Sequence, residues 1–486
     1  MHATEIALFV QLGCLLAALS IPRFPRSATR AQCGLCILTL LLGLVMGQGR
    51  WQLLPAWLWL AWVGWQMLPP QAAATRGSGL SQLAGGLSAL GLSLLLALGL
   101  PVPTLPAPAG PFLVGTQLLT LEDRSRDDSI LGAPGTTRTL SLQLWYPTTV
   151  DSGPNRSLWA ELYRGRIDLI AALTGYLRKA STHSRQDAPL AANVRPWPLL
   201  IYSHGLSLFP EQNTLLMEHL ASQGYLVAAV GHTRMSTRVL LDAEQPVYSS
   251  LGRIRSALQQ SNTQATPEQL EQIAQTASRF ERATIALEAI EASTDLNALM
   301  AIWVDDLRFV LDALTARRDD YPALRPFALN SDPERIGLLG MSFGGGAITE
   351  VCKIDERCKA GLNLDGGIFG SHQRQPLATP HLVLASPANV PFFEYQLLVS
   401  AAPHALAVVS GTTHADFMDL TLVLPALKWL GLAGGSIDAR RASQLMNAVS
   451  GRFFDTWLRN GPTLEFSAVD FPELTVEYRN QTSVNE

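Results

Sequence analysis

The chain has 486 residues, a formal charge of −4, 48% apolar residues and 16% charged residues, where an ordinary soluble domain carries about 25% charged. The deficit is local, because the first 110 residues hold only Glu5, Arg23, Arg26, Arg30, Arg50 and Arg76 as charged groups. This excludes a plain soluble enzyme and a disordered or fibrous chain, and the acidic balance leaves no basic footprint for nucleic acid.

A membrane span needs about 20 mostly apolar residues to cross a hydrocarbon core about 30 Å thick. Residues 6–21, 33–46, 53–67 and 80–100 fit as four transmembrane helices, the second and third short and bounded by Gly47, Gly49, Pro69 and Pro70. Five of the eleven Trp fall between Trp51 and Trp65, the aromatic enrichment of a membrane interface. A cleaved signal peptide over the first run is the alternative, but a basic n-region is missing and three further apolar runs would remain. Arg23, Arg26 and Arg30 follow the first span, Arg76 follows the third, and Arg50 alone follows the second. The positive-inside rule then puts the first and third loops in the cytoplasm and everything after the fourth span outside it. The chain divides accordingly into a membrane domain over 1–100, a linker over 101–111 and a catalytic domain over 112–486. Cys14, Cys33 and Cys36 lie in the spans as apolar filler. Cys352 and Cys358, six residues apart and alone in the domain, are candidates for a structural disulfide that an exported location would favour; two free buried thiols are the alternative.

The linker reads PVPTLPAPAGP, five prolines in eleven residues, a stiff extended connection. Strands are predicted over 112–121 and 140–146, a helix over 157–180, and a buried strand over 197–203, where WPLLIYS is bounded by His-Gly. A helix over 211–223 and a strand over 225–230 follow. Residues 234–293 form a Gln-, Ala- and Glu-rich insertion expected to be largely helical and to act as a lid, with a helix start at Thr266-Pro267-Glu268-Gln269. A helix over 297–317 leads to strands near 335–339, 360–364, 381–385 and 406–409. Such alternation predicts a mostly parallel sheet with helices on both faces.

Gly340-Met341-Ser342-Phe343-Gly344 matches G-x-S-x-G between the strand RIGLL and the helix GGGAITEVC. A nucleophile elbow needs such a strained strand-to-helix turn, with small residues two before and two after the Ser so that the backbone can pass. A serine hydroxyl needs a base, and the base an orienting acid. In chain order Ser, acid, His, two histidines qualify. His404 precedes the run LAVVS at a strand's entry end, whereas His414 follows it at the carboxyl edge where open α/β sheets bind ligands, so His414 is the expected base. His372 and His381 suit solvated or packing roles. Asp365 closes the strand in GLNLDGG and is the expected acid; Glu394 is the alternative, while Asp416 and Asp419 should face solvent or cap the next helix. The oxyanion needs two backbone N–H groups, assigned to Phe343, next to the serine, and Leu206, after Gly205 at the end of LLIYSHG. His204 is expected to hold that loop. The sequence has no H-E-x-x-H, zinc-spaced Cys/His cluster or calcium loop, so the predicted chemistry uses no metal and no cofactor.

The stretches LQLWYP (142–147), PLLIYSHGLS (198–207), LASQGYLVAAVGHTR (220–234), GMSFGG (340–345), AGLNLDGG (360–367) and GTTHADFMD (411–419) together resemble the platelet-activating factor acetylhydrolase family of the serine-dependent plasma and intracellular type. The resemblance implies an α/β-hydrolase fold, Ser342, Asp365 and His414 as the triad, Leu206 and Phe343 as oxyanion donors, calcium independence, and esters with short or oxidised acyl groups, such as the sn-2 position of phospholipids, as substrates. Met341 stands where the family often has His, and neither four spans nor the 234–293 insertion belongs to its usual pattern. The expectation is a membrane-anchored serine ester hydrolase whose partners are a lipid or small ester and the bilayer. The alternatives are a hydrolase of a polyester- or cutin-like ester and a non-catalytic receptor that kept the fold.

Overall fold

The computed structural model describes residues 3–21, 26–45, 50–66, 79–128, 135–164, 168–192, 196–241, 245–248, 267–316 and 320–479. It falls into two compact units. The first comprises residues 1–104 with 166–180 and 424–426. It contains four apolar helices, α1 (Ala3–Ser20), α2 (Arg26–Val45), α3 (Leu54–Gln66) and α4 (Gly79–Gly99). These sit where the four runs were expected, but they differ in reach. Ser81–Gly99 is, among the described residues, the one helix long and apolar enough to cross a membrane, and Glu5–Ser20 and Ser27–Gly43 are shorter apolar helices. With 13 residues, α3 is about 20 Å long at 1.5 Å per residue, well short of the hydrocarbon core.

Several polar groups in this unit are paired with one another. Arg50 is buried against buried Glu5, Nε to Oε1 at 2.5 Å and Nη2 to Oε2 at 3.0 Å, and its Nη1 donates to the Leu100 carbonyl at 3.1 Å. Thr39 donates to the Gln11 side chain at 2.8 Å, and Ser93 Oγ accepts from the Ala56 amide at 3.0 Å. In an apolar surrounding such bonds fix which helix faces meet. The loop containing Arg76 and the one containing Arg23 lie outside the described residues.

The second unit comprises 105–165, 181–423 and 427–486. Its centre is an eleven-stranded sheet built from β1 (Leu113–Asp127), β2 (Thr137–Thr148), β3 (Asn155–Ser157), β4 (Ser181–Gln186), β5 (Trp197–Ser203), β6 (Leu226–Gly231), β9 (Ser331–Met341), β10 (Ala360–Leu364), β11 (His381–Ala385), β12 (His404–Val409) and β13 (Leu474–Arg479). Between them, β7 (Arg238–Leu241) and β8 (Gln245–Tyr248) form a separate hairpin. The order is β13-β12-β11-β10-β9-β5-β6-β2-β1-β4-β3. From β6 to β12 all neighbours are parallel, while β2 and β13 join antiparallel.

Alternation along the central strands divides the core into two layers. Leu199, Ile201, Ile336 and Leu338 point into one, and Leu200, Tyr202, Leu339 and Met341 into the other. The longer helices of this unit are α5 (Thr214–Ser222), α6 (Pro267–Gln275), α7 (Arg279–Glu291), α8 (Thr294–Leu314), α9 (Phe343–Ile354), α10 (Pro391–Val399) and α11 (Ala439–Arg459). The first layer is closed by α8 and α9, the second by α5 and α11. Parallel strands buried on both faces read as continuous apolar runs, which is why these were legible in the sequence.

One expectation needs correction. Residues 157–180 do not form one helix; the left-handed Trp159 (φ 51°) breaks the segment, which continues as Ala160–Tyr163, Leu169–Thr174 and a 3-10 turn over Gly175–Lys179. The largely helical insertion needs an addition: it opens with the β7–β8 hairpin before its helices Pro267–Gln275 and Arg279–Glu291. Its helix start at Thr266 lies outside the described residues, although Pro267 is the first helical residue of α6.

At the amino ends of the strands, opposite the carboxyl edge, His381 and His404 pair in register with ring centroids 5.7 Å apart, both buried. Burial pushes His404 down to about 3 and His381 well below the usual imidazole range, with His404 and Lys353 adding to the effect. In the unfolded chain both titrate near ~6.5. Below that value the unfolded state binds more protons than the folded one, so stability is complete above it and is lost as pH falls towards the folded-state value. His404 alone accounts for about 2 kcal/mol at pH ~5. The urea midpoint of the purified chain, followed by tryptophan fluorescence, should therefore drop between pH ~8 and ~5, and His404→Leu should flatten that slope; an unchanged slope in the variant counts against this assignment.

Candidate active site

Ser342 sits between β9 and α9 with φ 57° and ψ −127°, a conformation that a residue with a side chain adopts only at a cost of order 1–3 kcal/mol. The turn is held by the Ser342 amide donating to Leu364 O at 2.9 Å and by Gly346 N donating to Ser342 O at 3.2 Å. It closes only because its flanks lack side chains. A Cβ on Gly340 would lie 2.3 Å from Gly344 O, and one on Gly344 would lie 2.2 Å from Ser203 O. These are the positions two before and two after the serine, as the elbow pattern requires.

Asp365 follows β10 directly, with φ 54°. Asn363 braces its turn, accepting from Gly366 N at 2.7 Å and donating to Gly366 O at 2.8 Å. The Asp365 carboxylate is wholly buried but well supplied with donors. Oδ1 accepts from Ser386 N at 2.7 Å, Ser386 Oγ lies 3.0 Å from both oxygens, and Asn389 Nδ2 donates to Oδ2 at 2.8 Å. Ser386 and Asn389 were not singled out in the sequence; their place in the loop after β11, one strand beyond the acid, was the available signal.

His414 follows β12 on a 3-10 turn, His414–Phe417. Its Nδ1 is 2.8 Å from Asp365 Oδ2 and its Nε2 is 2.9 Å from Ser342 Oγ. An ionised carboxylate only accepts, so Nδ1 carries the proton and Nε2 faces the serine hydroxyl as an acceptor. The imidazole is 46% exposed while the carboxylate is 0% exposed, so the serine–histidine edge is reachable from solvent and the acid is not.

Asp416 and Asp419, expected to face solvent or cap the following helix, are both buried. Asp416 closes the capping box of the His414 turn, accepting from Thr413 N at 2.9 Å, and is bonded by Lys428 Nζ at 3.0 Å and Gly435 N at 2.6 Å. Asp419 accepts from Leu215 N at 3.1 Å at the start of α5, an earlier helix than the one expected. Both acids therefore hold the turn that carries His414. Glu394, the alternative acid, is tied to Arg279 at 2.8 Å. His404 and His381 lie at the far end of the strands, and His372 Nδ1 pairs with Glu350 at 3.1 Å.

The loop after β5 passes beside the serine, a Cβ on Gly205 falling 3.2 Å from Ser342 Cβ. Its amides are committed at three positions: Gly205 N to Gln212 Oε1 at 3.0 Å, Ser207 N to Met235 O at 2.9 Å and Leu208 N to Gly205 O at 3.0 Å. Leu206 lies between them. Phe343 is the first residue of α9, where amides have no intrahelical acceptor. His204 is wholly buried and burial, with His232 beside it, pushes its pKa well below the usual value. As a neutral ring it donates from Nδ1 to Gly205 O at 2.7 Å and accepts at Nε2 from Ser236 Oγ at 2.7 Å. Because a trans peptide is planar, anchoring Gly205 O also fixes the direction of the Leu206 N–H. Cys352 and Cys358 are joined as a disulfide at the far end of α9, their Cα atoms 5.1 Å apart.

Comparison with known proteins fits this arrangement. The family described as platelet-activating factor acetylhydrolase, isoform II, matches residues 101–460. The platelet-activating factor acetylhydrolase of Cavia porcellus is 24% identical over 373 residues, covering 73% of this chain and 78% of its own, and that of Bos taurus is 23% identical over 337 residues, covering 65% and 71%. Among solved structures, the ferulic acid esterase of Streptomyces cinnamoneus superposes with a TM-score of 0.60 at 26% identity, covering 77% of this chain and 99% of the esterase.

Proposed function

The chain belongs to the platelet-activating factor acetylhydrolase isoform II family and is a carboxylic ester hydrolase, and from that premise we propose that it is a membrane-anchored serine esterase acting on lipid-like esters. The observation that carries this reading is His414, bridging Ser342 Oγ at 2.9 Å and Asp365 Oδ2 at 2.8 Å. In the proposed reaction His414 Nε2 takes the Ser342 proton as Oγ attacks the ester carbonyl. The Leu206 and Phe343 amides receive the negative oxygen of the tetrahedral intermediate. His414 then protonates the leaving alkoxide and takes a proton from water as the hydroxide attacks the acyl-enzyme; when the second tetrahedral intermediate collapses, the acid is released and His414 Nε2 returns that proton to Ser342 Oγ. Asp365 stays ionised and keeps the imidazole in the tautomer that accepts from serine.

The proposed substrates are esters with short or oxidised acyl groups, such as the sn-2 position of glycerophospholipids, in keeping with the family. A second reading, a non-lipid ester, is favoured by the likeness to a ferulic acid esterase over most of both chains. The insertion is read as a cap that bears on acyl-chain choice. Its α7 packs against α10 through Ile285, Ala286, Ala289 and Phe392, and just beyond it Asn297 Oδ1 accepts from Gly370 N at 2.9 Å, in the loop that follows Asp365.

Anchoring through four spans, with the catalytic domain outside the cytoplasm, is the proposed topology. Arg50, the one basic residue against the positive-inside count, is neutralised by Glu5. The Cys352–Cys358 disulfide suits an oxidising compartment.

Ser342→Ala should abolish both labelling by a fluorophosphonate and ester hydrolysis, a loss of roughly 10⁶ on the subtilisin precedent; hydrolysis that survives in the variant rejects Ser342 as nucleophile. With that variant as blank, a series of p-nitrophenyl esters, sn-2 phospholipids and hydroxycinnamate esters should show highest kcat/KM on short-acyl phospholipids. Preference for the hydroxycinnamates selects the second reading, and shortening the insertion should move the chain-length optimum more than turnover of p-nitrophenyl acetate, equal losses rejecting the cap. Val469 is 89% exposed; a membrane-impermeant maleimide should label Val469→Cys in right-side-out vesicles, and labelling confined to inside-out vesicles would reverse the topology.

A further inference from the structure

Behind the site lies a second Ser–His–Asp array. Ser203 Oγ is 3.0 Å from His232 Nε2, and His232 Nδ1 is 2.9 Å from Asp306 Oδ2, nearly the spacings of the Ser342 set. All three residues are fully buried, so no substrate reaches them and the array has another use. Asp306 can only accept, so His232 carries its proton on Nδ1 and the Ser203 hydroxyl donates to Nε2. Arg138 grips the same carboxylate, Nε to Oδ1 at 3.0 Å and Nη2 to Oδ2 at 2.5 Å, and its Nη1 donates to Thr233 O at 2.9 Å.

The turn over residues 232–237 is in this way held from behind by α8 and β2. Its other side is laced to the loop that presents Leu206. Ser203 bonds to His232, His204 to Ser236 Oγ, Ser207 N to Met235 O at 2.9 Å and Thr237 N to Leu208 O at 2.7 Å. Trp303, one turn before Asp306 on α8, stacks on His232 with centroids 3.7 Å apart and planes 12° apart. The same indole meets the Phe343 ring edge-on at 5.0 Å, and Phe343 bears the other proposed oxyanion amide.

We infer that Asp306 and Trp303 of α8, acting through His232, are positioning residues that set both halves of the oxyanion hole, the Leu206 amide through the 232–237 turn and the Phe343 amide through ring contact. The inference rests on the Ser342 reading above and adds to it what fixes the two donors. An oxyanion hole is worth its full effect only when its donors are held before the charge develops, and a buried ion pair with a stacked indole gives the loop a rigid backing.

The test uses the full chain in detergent, with Ser203→Ala, His232→Asn, Trp303→Phe and Trp303→Leu. Active sites are titrated with a fluorophosphonate, and kcat per titrated site, KM and the second-order labelling rate are measured on p-nitrophenyl acetate. Loss of positioning should lower kcat per site about 10- to 100-fold in His232→Asn, less than the roughly 10²–10³ that removal of one oxyanion donor costs because the donor is displaced and not deleted, with KM within about twofold. The labelling rate should fall in step, because phosphonylation develops the same charge, and Trp303→Phe should retain more activity than Trp303→Leu. A merely structural role would reduce the number of titratable sites and leave kcat per site and labelling rate at the wild-type level, which overturns the inference. Should His232→Asn not fold, Ser203→Ala decides, since it removes one buried oxygen and little else: wild-type kcat per site in that variant is the overturning result. Undiminished positioning variants beside an inactive Ser342→Ala fail this inference alone, whereas an active Ser342→Ala fails the reading beneath it.

Discussion

The left-handed backbone at Ser342 is the constraint around which the catalytic unit is arranged. Holding a non-glycine residue at φ 57° and ψ −127° costs of order 1–3 kcal/mol, and the turn persists only because buried elements on both sides over-determine it. β9 enters it with Ile336, Leu338, Leu339 and Met341 wholly buried, and α9 leaves it with Ala347, Ile348 and Val351 equally so. The glycines at 340 and 344 follow from the same constraint, since any side chain there would strike the backbone of the turn itself or of β5. The exposed Oγ is the result: a hydroxyl lifted clear of the sheet edge, where groups from neighbouring strands can meet it.

Those groups arrive in strand order. β10 brings Asp365, β11 brings Ser386 and Asn389 to hold it, β12 brings His414, and β5 brings the loop with Leu206. Each is fastened by buried polar contacts. Asp416 and Asp419 hold the His414 turn, Asn363 holds the Asp365 turn, and His204 with the Asp306–His232 array backs the loop that carries Leu206. Buried charge in such places contributes little net stability and is costly when one partner is removed. Arg138, Asp128 and Asp306 are therefore better explained by geometry than by stability: with Arg126 on Asp306 and Arg234 on Asp128 both buried carboxylates are paired, and the cluster fixes the orientation of His232.

Much of this was legible in the chain, and the rest was hidden for identifiable reasons. Buried parallel strands such as 197–203, 360–364 and 381–385 announce themselves as continuous apolar runs, and the helix α8 by its period. β4 and β13 carry polar, partly exposed sequences, STHSRQ and LTVEYR, which have no such signature because they lie towards the sheet edges. The helix α11 had a clear apolar period through Leu445, Met446, Val449, Phe453 and Phe454 and could have been taken. Asp306 also left a trace, an acid in the apolar stripe of Leu299, Trp303 and Val310, a pattern that a buried charge with a distant partner produces. Asp416 was expected to face solvent or to cap the next helix; it is buried and caps the His414 turn itself, because a capping box acts at three residues' distance.

By itself the sequence pointed to the proposed reacting set. Ser342, Asp365 and His414 follow from a strand-turn-helix pattern and from which residues stand at strand ends, and both are local properties of the chain. The apolar block at the start, holding six of the charged residues in its first 110 positions, was equally plain, although helix length separates Ser81–Gly99, long enough to cross a bilayer, from α3, which is not. Only the tertiary structure decided which polar residues brace Ser342, Asp365 and His414. Asp306 reaches His232 across 74 residues, Asn213 reaches the Phe417 carbonyl across 204, and Arg138 reaches Asp306 across 168. Such pairings depend on strand order and on which face of each helix is buried, and a one-dimensional pattern carries neither.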